Sequence, residues 1–77
     1  MDIITKDYLL KDLSNFLDYG ISFVSQGNRE EAFDMLSKAN YIKRLLLRSY
    51  GLDIETDNSK PIAKLFHNYI RLYYFIY

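Results

Sequence analysis

The chain has 77 residues, no cysteine, and ten acids balanced by ten bases, for a net charge of zero. That length holds one small domain, and the lack of thiols excludes a disulfide scaffold and a thiolate metal centre. Zero net charge disfavours nucleic acid as the main partner, and no run approaches the roughly 20 apolar residues that span a bilayer.

The opening string "MDIITKDYLL" begins with an acid and lacks the basic region and long apolar stretch of a signal peptide, so a cytoplasmic location is expected. From Asp7 to Gln26 the residues Leu10, Leu13, Leu17, Gly20, Ile21 and Val24 recur at three and four, with Leu9, Phe16 and Phe23 alongside. At 100° per residue these form one broad apolar stripe, with Lys11, Asn15, Asp18, Ser22 and Ser25 opposite. The pattern predicts a first helix over about 7–26, capped by Thr5 or Asp7 and stopped by a left-handed Gly27.

The string "GNREEA" then supplies Asn28 as an N-cap, with Glu31 three residues later in the manner of a capping box. A second helix over about 29–50 follows, and Gly51 ends it. Ala32, Met35, Ala39, Ile42, Leu46 and Ser49 step by three and four as a heptad seam. The small residues Ala32 and Ala39 admit a close neighbour. Acids (Glu30, Glu31, Asp34) come early in this helix and bases (Lys43, Arg44, Arg48) late, as the helix dipole prefers. A short turn between two such helices makes an antiparallel hairpin roughly 30 Å long.

"LDIETDNSKP" reads as a polar loop, with Asp57, Asn58 or Ser59 as cap and Pro61 in the first turn of a third helix over about 60–77. Ile62, Phe66, Tyr69, Tyr73 and Ile76 step four, three, four, three as its core stripe, and Lys64, His67, Asn68 and Arg71 lie opposite. After Arg71 the pattern changes. "LYYFIY" is apolar on every side, because Tyr74 and Phe75 occupy the face that had been polar. A helix end of that kind is normally buried all round, which a three-helix monomer cannot achieve for its last helix. The expected fold is therefore an all-α, antiparallel three-helix bundle completed by self-association or by a partner. Tyr69, Leu72, Tyr73, Tyr74, Phe75, Ile76 and Tyr77 are its candidate partner-binding residues, since tyrosine buries area while keeping a polar tip.

The remaining candidates for chemistry are weak. Asp53, Glu55 and Asp57 alternate like the start of a calcium loop, but such a loop needs Gly sixth and Glu twelfth, where Asn58 and Lys64 stand. His67 is the single histidine and has no oriented acid at helical spacing, so it is expected as a surface residue, neither metal ligand nor general base. Tyr41, Arg44 and Arg48 put bases beside an aromatic, a nucleic-acid signature diluted by Glu30 and Asp34 on the same side. No catalysis, metal or cofactor is expected.

Three strings carry a resemblance over residues 9–73. "LLKDLSNFL", "QGNREEAFDMLSKANYIKRLL" and "GLDIE" followed by "IAKLFHNYI" resemble, in order and spacing, the core helices of the flagellin-export chaperone (FliS) family. The resemblance implies a bundle of four to five helices that shields flagellin's C-terminal region in the cytosol and carries it to the secretion gate. The chain departs from the family in two ways. Leu10, Lys11 and Asp12 stand where the family has Tyr, Asp and Gly, and the sequence has no counterpart of the family's polar N-terminal segment or of its fourth helix. That helix would cover a surface such as "LYYFIY"; a second copy or a client takes its place. The expected function is a non-catalytic adaptor or export chaperone that shields an apolar helix of a client, with a homo-oligomer expected as well. The alternative is a small phage or mobile-element protein that binds and inhibits a host protein, in keeping with the Ile, Asn, Lys and Tyr usage of AT-rich genomes.

Overall fold

Three helices carry the fold: α1 (Asp2–Ser25), α2 (Arg29–Tyr50) and α3 (Lys60–Ile76). The computed structural model describes the backbone of residues 2–77 and the side chains from residue 5 onward. The architecture is an all-α three-helix bundle, as the periodicity predicts. Gly20 of α1 lies against Met35 near the start of α2 and Leu72 near the end of α3. So α2 runs antiparallel to both other helices, and α1 and α3 run parallel.

The helix boundaries follow local chemistry. α1 begins at Asp2 rather than Asp7, so Thr5 and Asp7 lie inside the helix and cap nothing. No glycine or proline interrupts residues 2–10, so nothing halts helix propagation there. Gly27 (φ 71°) ends α1: its N–H donates to the Val24 carbonyl (3.0 Å) and Asn28 N–H to the Phe23 carbonyl (2.9 Å). These two bonds are a Schellman motif. Asn28 then caps α2, its Oδ1 accepting from Glu31 N–H at 3.2 Å. Gly51 (φ 64°) closes α2, with its N–H donating to the Leu47 carbonyl at 3.0 Å. At α3 the N-cap residue is Ser59, but its hydroxyl turns back to Asp57 Oδ1 (2.7 Å) instead of meeting the first helical amides. Pro61 occupies the first turn as expected.

The core takes Leu13 and Leu17 from α1, and Ala32, Leu36, Ala39, Ile42 and Leu46 from α2. Ile62, Leu65, Leu72 and Ile76 come from α3, and Ile54 plugs in from the α2–α3 loop. Two expectations are corrected here. In α2, Leu36 holds the central place, Met35 is half-buried and Ser49 is exposed. In α3, the buried stripe runs through Leu65 and Leu72, while Phe66 and Tyr69 are half-buried and Tyr73 is exposed. The cause is size and polarity. Gly20, Ala32 and Ala39 bring the helices close enough to accept leucine, whereas a tyrosine there would bury its hydroxyl and demand a partner. Rotating Leu72 inward carries the line of aromatic residues onto the flank of α3 that faces α2.

Packing is uneven around the bundle. α1 packs closely against α2 and also against α3, whereas α2 and α3 touch least. The seam between α2 and α3 is the least closely packed of the three.

Ala39 is completely buried in the α2 seam. Ala39→Leu should destabilise by about 1–3 kcal/mol through overpacking. A thermal melt at the wild-type temperature would place Ala39 outside the core.

Candidate protein-binding surface

The aromatic residues of α3 form a ladder along that seam. Phe66, Tyr69, Tyr73 and Tyr77 are spaced three, four and four, which keeps them on one flank of a helix. Their ring centroids follow at 6.4, 6.3 and 4.9 Å. Phe33 of α2 closes the end of the ladder edge-on to Tyr77 at 6.5 Å. Exposure rises along it: Phe66 and Tyr69 are half-buried, Tyr73 is 39% exposed and Tyr77 70%. Phe33 is 47% exposed, and Tyr74, edge-on to Tyr73 at 5.5 Å, is 71% exposed. Arg29, Glu30, Phe33, Ile76 and Tyr77 line an open groove of about 490 Å³ at this end of the seam.

Not every candidate from the sequence faces this surface. Leu72 and Ile76 are core residues, held inward by the rotation of α3; Leu72 is completely buried, and Ile76 reaches the surface only at the floor of this groove. Helical spacing puts Phe75, also exposed, on the opposite flank of α3, towards α1. Tyr73, Tyr74 and Tyr77 remain as the outward group, with Tyr69 at its inner edge. Phe33 escaped the sequence reading because it lies off the heptad seam of α2. The one signal was the antiparallel topology, which sets the start of α2 beside the end of α3.

Polar groups fix this end of the bundle. The Arg29 guanidinium donates to the Ile76 carbonyl at 2.6 Å, placing a cation on the negative end of the α3 dipole and satisfying a terminal carbonyl. Lower down the seam, Tyr69 donates its hydroxyl to Asn40 Oδ1 at 2.6 Å. Lys43 lies 5.6 Å over the Tyr69 ring and 2.8 Å from the Glu55 carboxylate, tying α2, α3 and the loop together. Burial pushes the Tyr69 hydroxyl above its ordinary pKa, against a smaller opposing pull from Lys43.

A pH dependence follows from the raised value. The neutral phenol is the form the fold favours, so its contribution is fully present below the ordinary tyrosine pKa of about 10 and is lost as pH rises above it. Tyr69→Phe should cost about 1 kcal/mol at neutral pH through the lost hydrogen bond to Asn40. It should also flatten the fall of stability above about pH 10. Denaturant titrations at pH 7 and in alkaline buffer would test both; an unchanged alkaline slope would rule out Tyr69 as its source.

The other candidates do not assemble a site. Asp53 Oδ1 accepts from Glu55 N–H (2.9 Å), Glu55 pairs with Lys43, and Asp57 accepts from Ser59, so the three carboxylates serve three separate partners. The Ser59 hydroxyl and then its N–H hold the Asp57 carboxyl below the usual range. His67 is exposed. Tyr41, Arg44 and Arg48 share a shallow pocket of about 170 Å³ with Leu45, on a side where Asp34 pairs with Lys38 at 3.3 Å. Among the described residues no three His, Asp or Glu side chains gather. Nor, among them, is any helix long and apolar enough to cross a membrane. Comparison with protein-family models, curated proteins and solved structures finds no match to this chain.

Proposed function

We propose that this chain is a non-catalytic binding protein, an export-chaperone-like adaptor that shields an apolar helix of a client on its α2–α3 face. The observation that carries the reading is the contiguous exposure of Tyr73, Tyr74, Tyr77 and Phe33 at one end of one seam. Single exposed aromatics are ordinary on a protein surface; a continuous cluster beside a groove is the feature that marks interaction sites. A groove between two helices suits an amphipathic helix, which lays its apolar stripe along such a seam. Arg29 supports the reading by holding the end of α3 in place, so the rings are presented on a fixed frame. The family resemblance supplies the client: the C-terminal region of flagellin.

Tyr74→Ser combined with Tyr77→Ser tests this. Both side chains stand mostly in water, so folding should change by no more than about 0.5 kcal/mol. Capture from a lysate of the native host, read by mass spectrometry, should recover flagellin with the wild type and lose it with the variant, while the circular dichroism spectrum stays helical. Capture that survives the variant would remove this face from the function. Recovery of a replication, transcription or defence protein in place of flagellin would replace export with inhibition of a host process.

A further inference from the structure

We infer that Arg29 is a positioning residue for this surface: by capping α3 from the first turn of α2, it keeps the last turn of α3 docked and sets how much of the time the groove and its rings are presented. The binding half of this rests on the reading of the face as the client site; the docking of the turn does not.

Arg29 stands at the wrong end of its own helix. It is the first residue of α2, where the positive end of the helix dipole disfavours a cation and favours the acids Glu30 and Glu31 that follow it. Among the described residues it joins no ion pair. Its charge serves the neighbouring helix. α3 has no base in its own last turn, so it supplies no cation to its terminal carbonyls. Antiparallel packing brings Arg29 to that end, and its part-buried bond to the Ile76 carbonyl joins residues 47 apart in sequence. A side chain unfavourable to its own helix and capping another is a local rule broken for a tertiary purpose.

The bond lies where the seam holds few other ties. The next hydrogen bond between α2 and α3 is that of Tyr69 with Asn40, seven residues or about 10 Å back along α3. Beyond it the last turn meets α2 through the edge contact of Phe33 with Tyr77, but both rings are open to water. The buried Ile76 side chain and the Arg29 bond are left as its two anchors. The groove has Arg29, Glu30 and Phe33 on α2 facing Ile76 and Tyr77 on α3, so fraying of this turn removes one wall of it.

Amide hydrogen exchange on the free protein tests the inference. Arg29→Met keeps a long side chain while removing its charge and its donors. Exchange of the amides of residues 74–77 should quicken at least about fivefold, as expected for loss of a hydrogen bond to a charged group. Exchange over residues 62–69 and the denaturant midpoint should stay near wild type, because relief of the α2 dipole offsets part of the loss. Arg29→Lys, which retains the cation without the planar fork, should recover part of the protection. Arg44→Met, at an exposed base farther along α2, should change none of it. Unchanged exchange over 74–77 in Arg29→Met would overturn the inference, since Ile76 burial alone would then hold the turn. A rise spread evenly over α3 would overturn it as well, by marking a general loss of stability. Failure of the face is read separately. Protection lost in Arg29→Met, while Tyr74→Ser with Tyr77→Ser still captures flagellin, keeps the docking role and removes the face from the function.

Discussion

Leu72→Ala is expected to lower the unfolding free energy by about 2–5 kcal/mol, the range for deleting a leucine from a close-packed core. Leu72 is completely buried against Gly20, which Met35 also approaches, so the cavity would open where all three helices meet. A domain this short sits near the lower end of the usual stability of about 5–15 kcal/mol. The variant should therefore be partly unfolded at physiological temperature, and denaturant titration should show its midpoint falling with little change in slope. A midpoint equal to the wild type would mean that α3 does not dock through Leu72.

The same contact predicts a second large effect from the other side. A Cβ built at Gly20 falls 2.6 Å from Leu72 Cδ2 and 3.3 Å from Met35 Cβ. In an open helix a larger residue here would gain about 1 kcal/mol over glycine. Here the neighbour is the completely buried Leu72, whose methyl groups must already shift to admit a Cβ, and a whole leucine side chain makes packing win. Gly20→Leu should cost about 3 kcal/mol or more by forcing α3 away from the α1–α2 pair. The two sites should also couple. With Leu72 already reduced to alanine, Gly20→Ala should stabilise by about 1 kcal/mol, because the new methyl fills part of the cavity and restores helix propensity. Strictly additive costs in the double variant would refute the contact.

The helices and most of their ends were legible because short-range chemistry sets them; the start of α1 at Asp2 was not, since neither Thr5 nor Asp7 acts as its cap. Gly27, Asn28, Gly51 and Pro61 each act within a turn of their own position, and each acts as its residue type implies. Facing was harder to read. Period alone allows either Phe66 and Tyr73 or Leu65 and Leu72 to point inward, since the two lines lie only one residue apart. The choice depends on how near the opposing helices come, which Gly20 and Ala39 determine from distant parts of the chain. Ile54 was hidden for a similar reason: a polar loop gives no periodicity, so nothing marks Ile54, ahead of its neighbour Leu52, as core. At the candidate surface the unusual apolar character of residues 72–77 was plain. The division into Leu72 and Ile76 inside, Tyr73, Tyr74 and Tyr77 outside, with Phe33 recruited from α2, needed the assembled bundle.

The unequal packing around the bundle also orders its assembly in time. α1 and α2 are joined by a tight turn and meet along their length, so their pairing closes small loops and carries little entropic cost. Such local pairing is the fast part of helical folding. α3 is expected to dock afterwards across a longer loop, pinned by Ile54, and to leave first when the domain opens, because it shares the fewest contacts with the rest. The segment bearing the tyrosine ladder is on this expectation also the most readily released cooperative unit of the chain. Any molecule that grips it will slow amide hydrogen exchange across residues 60–76 by more than its direct footprint accounts for.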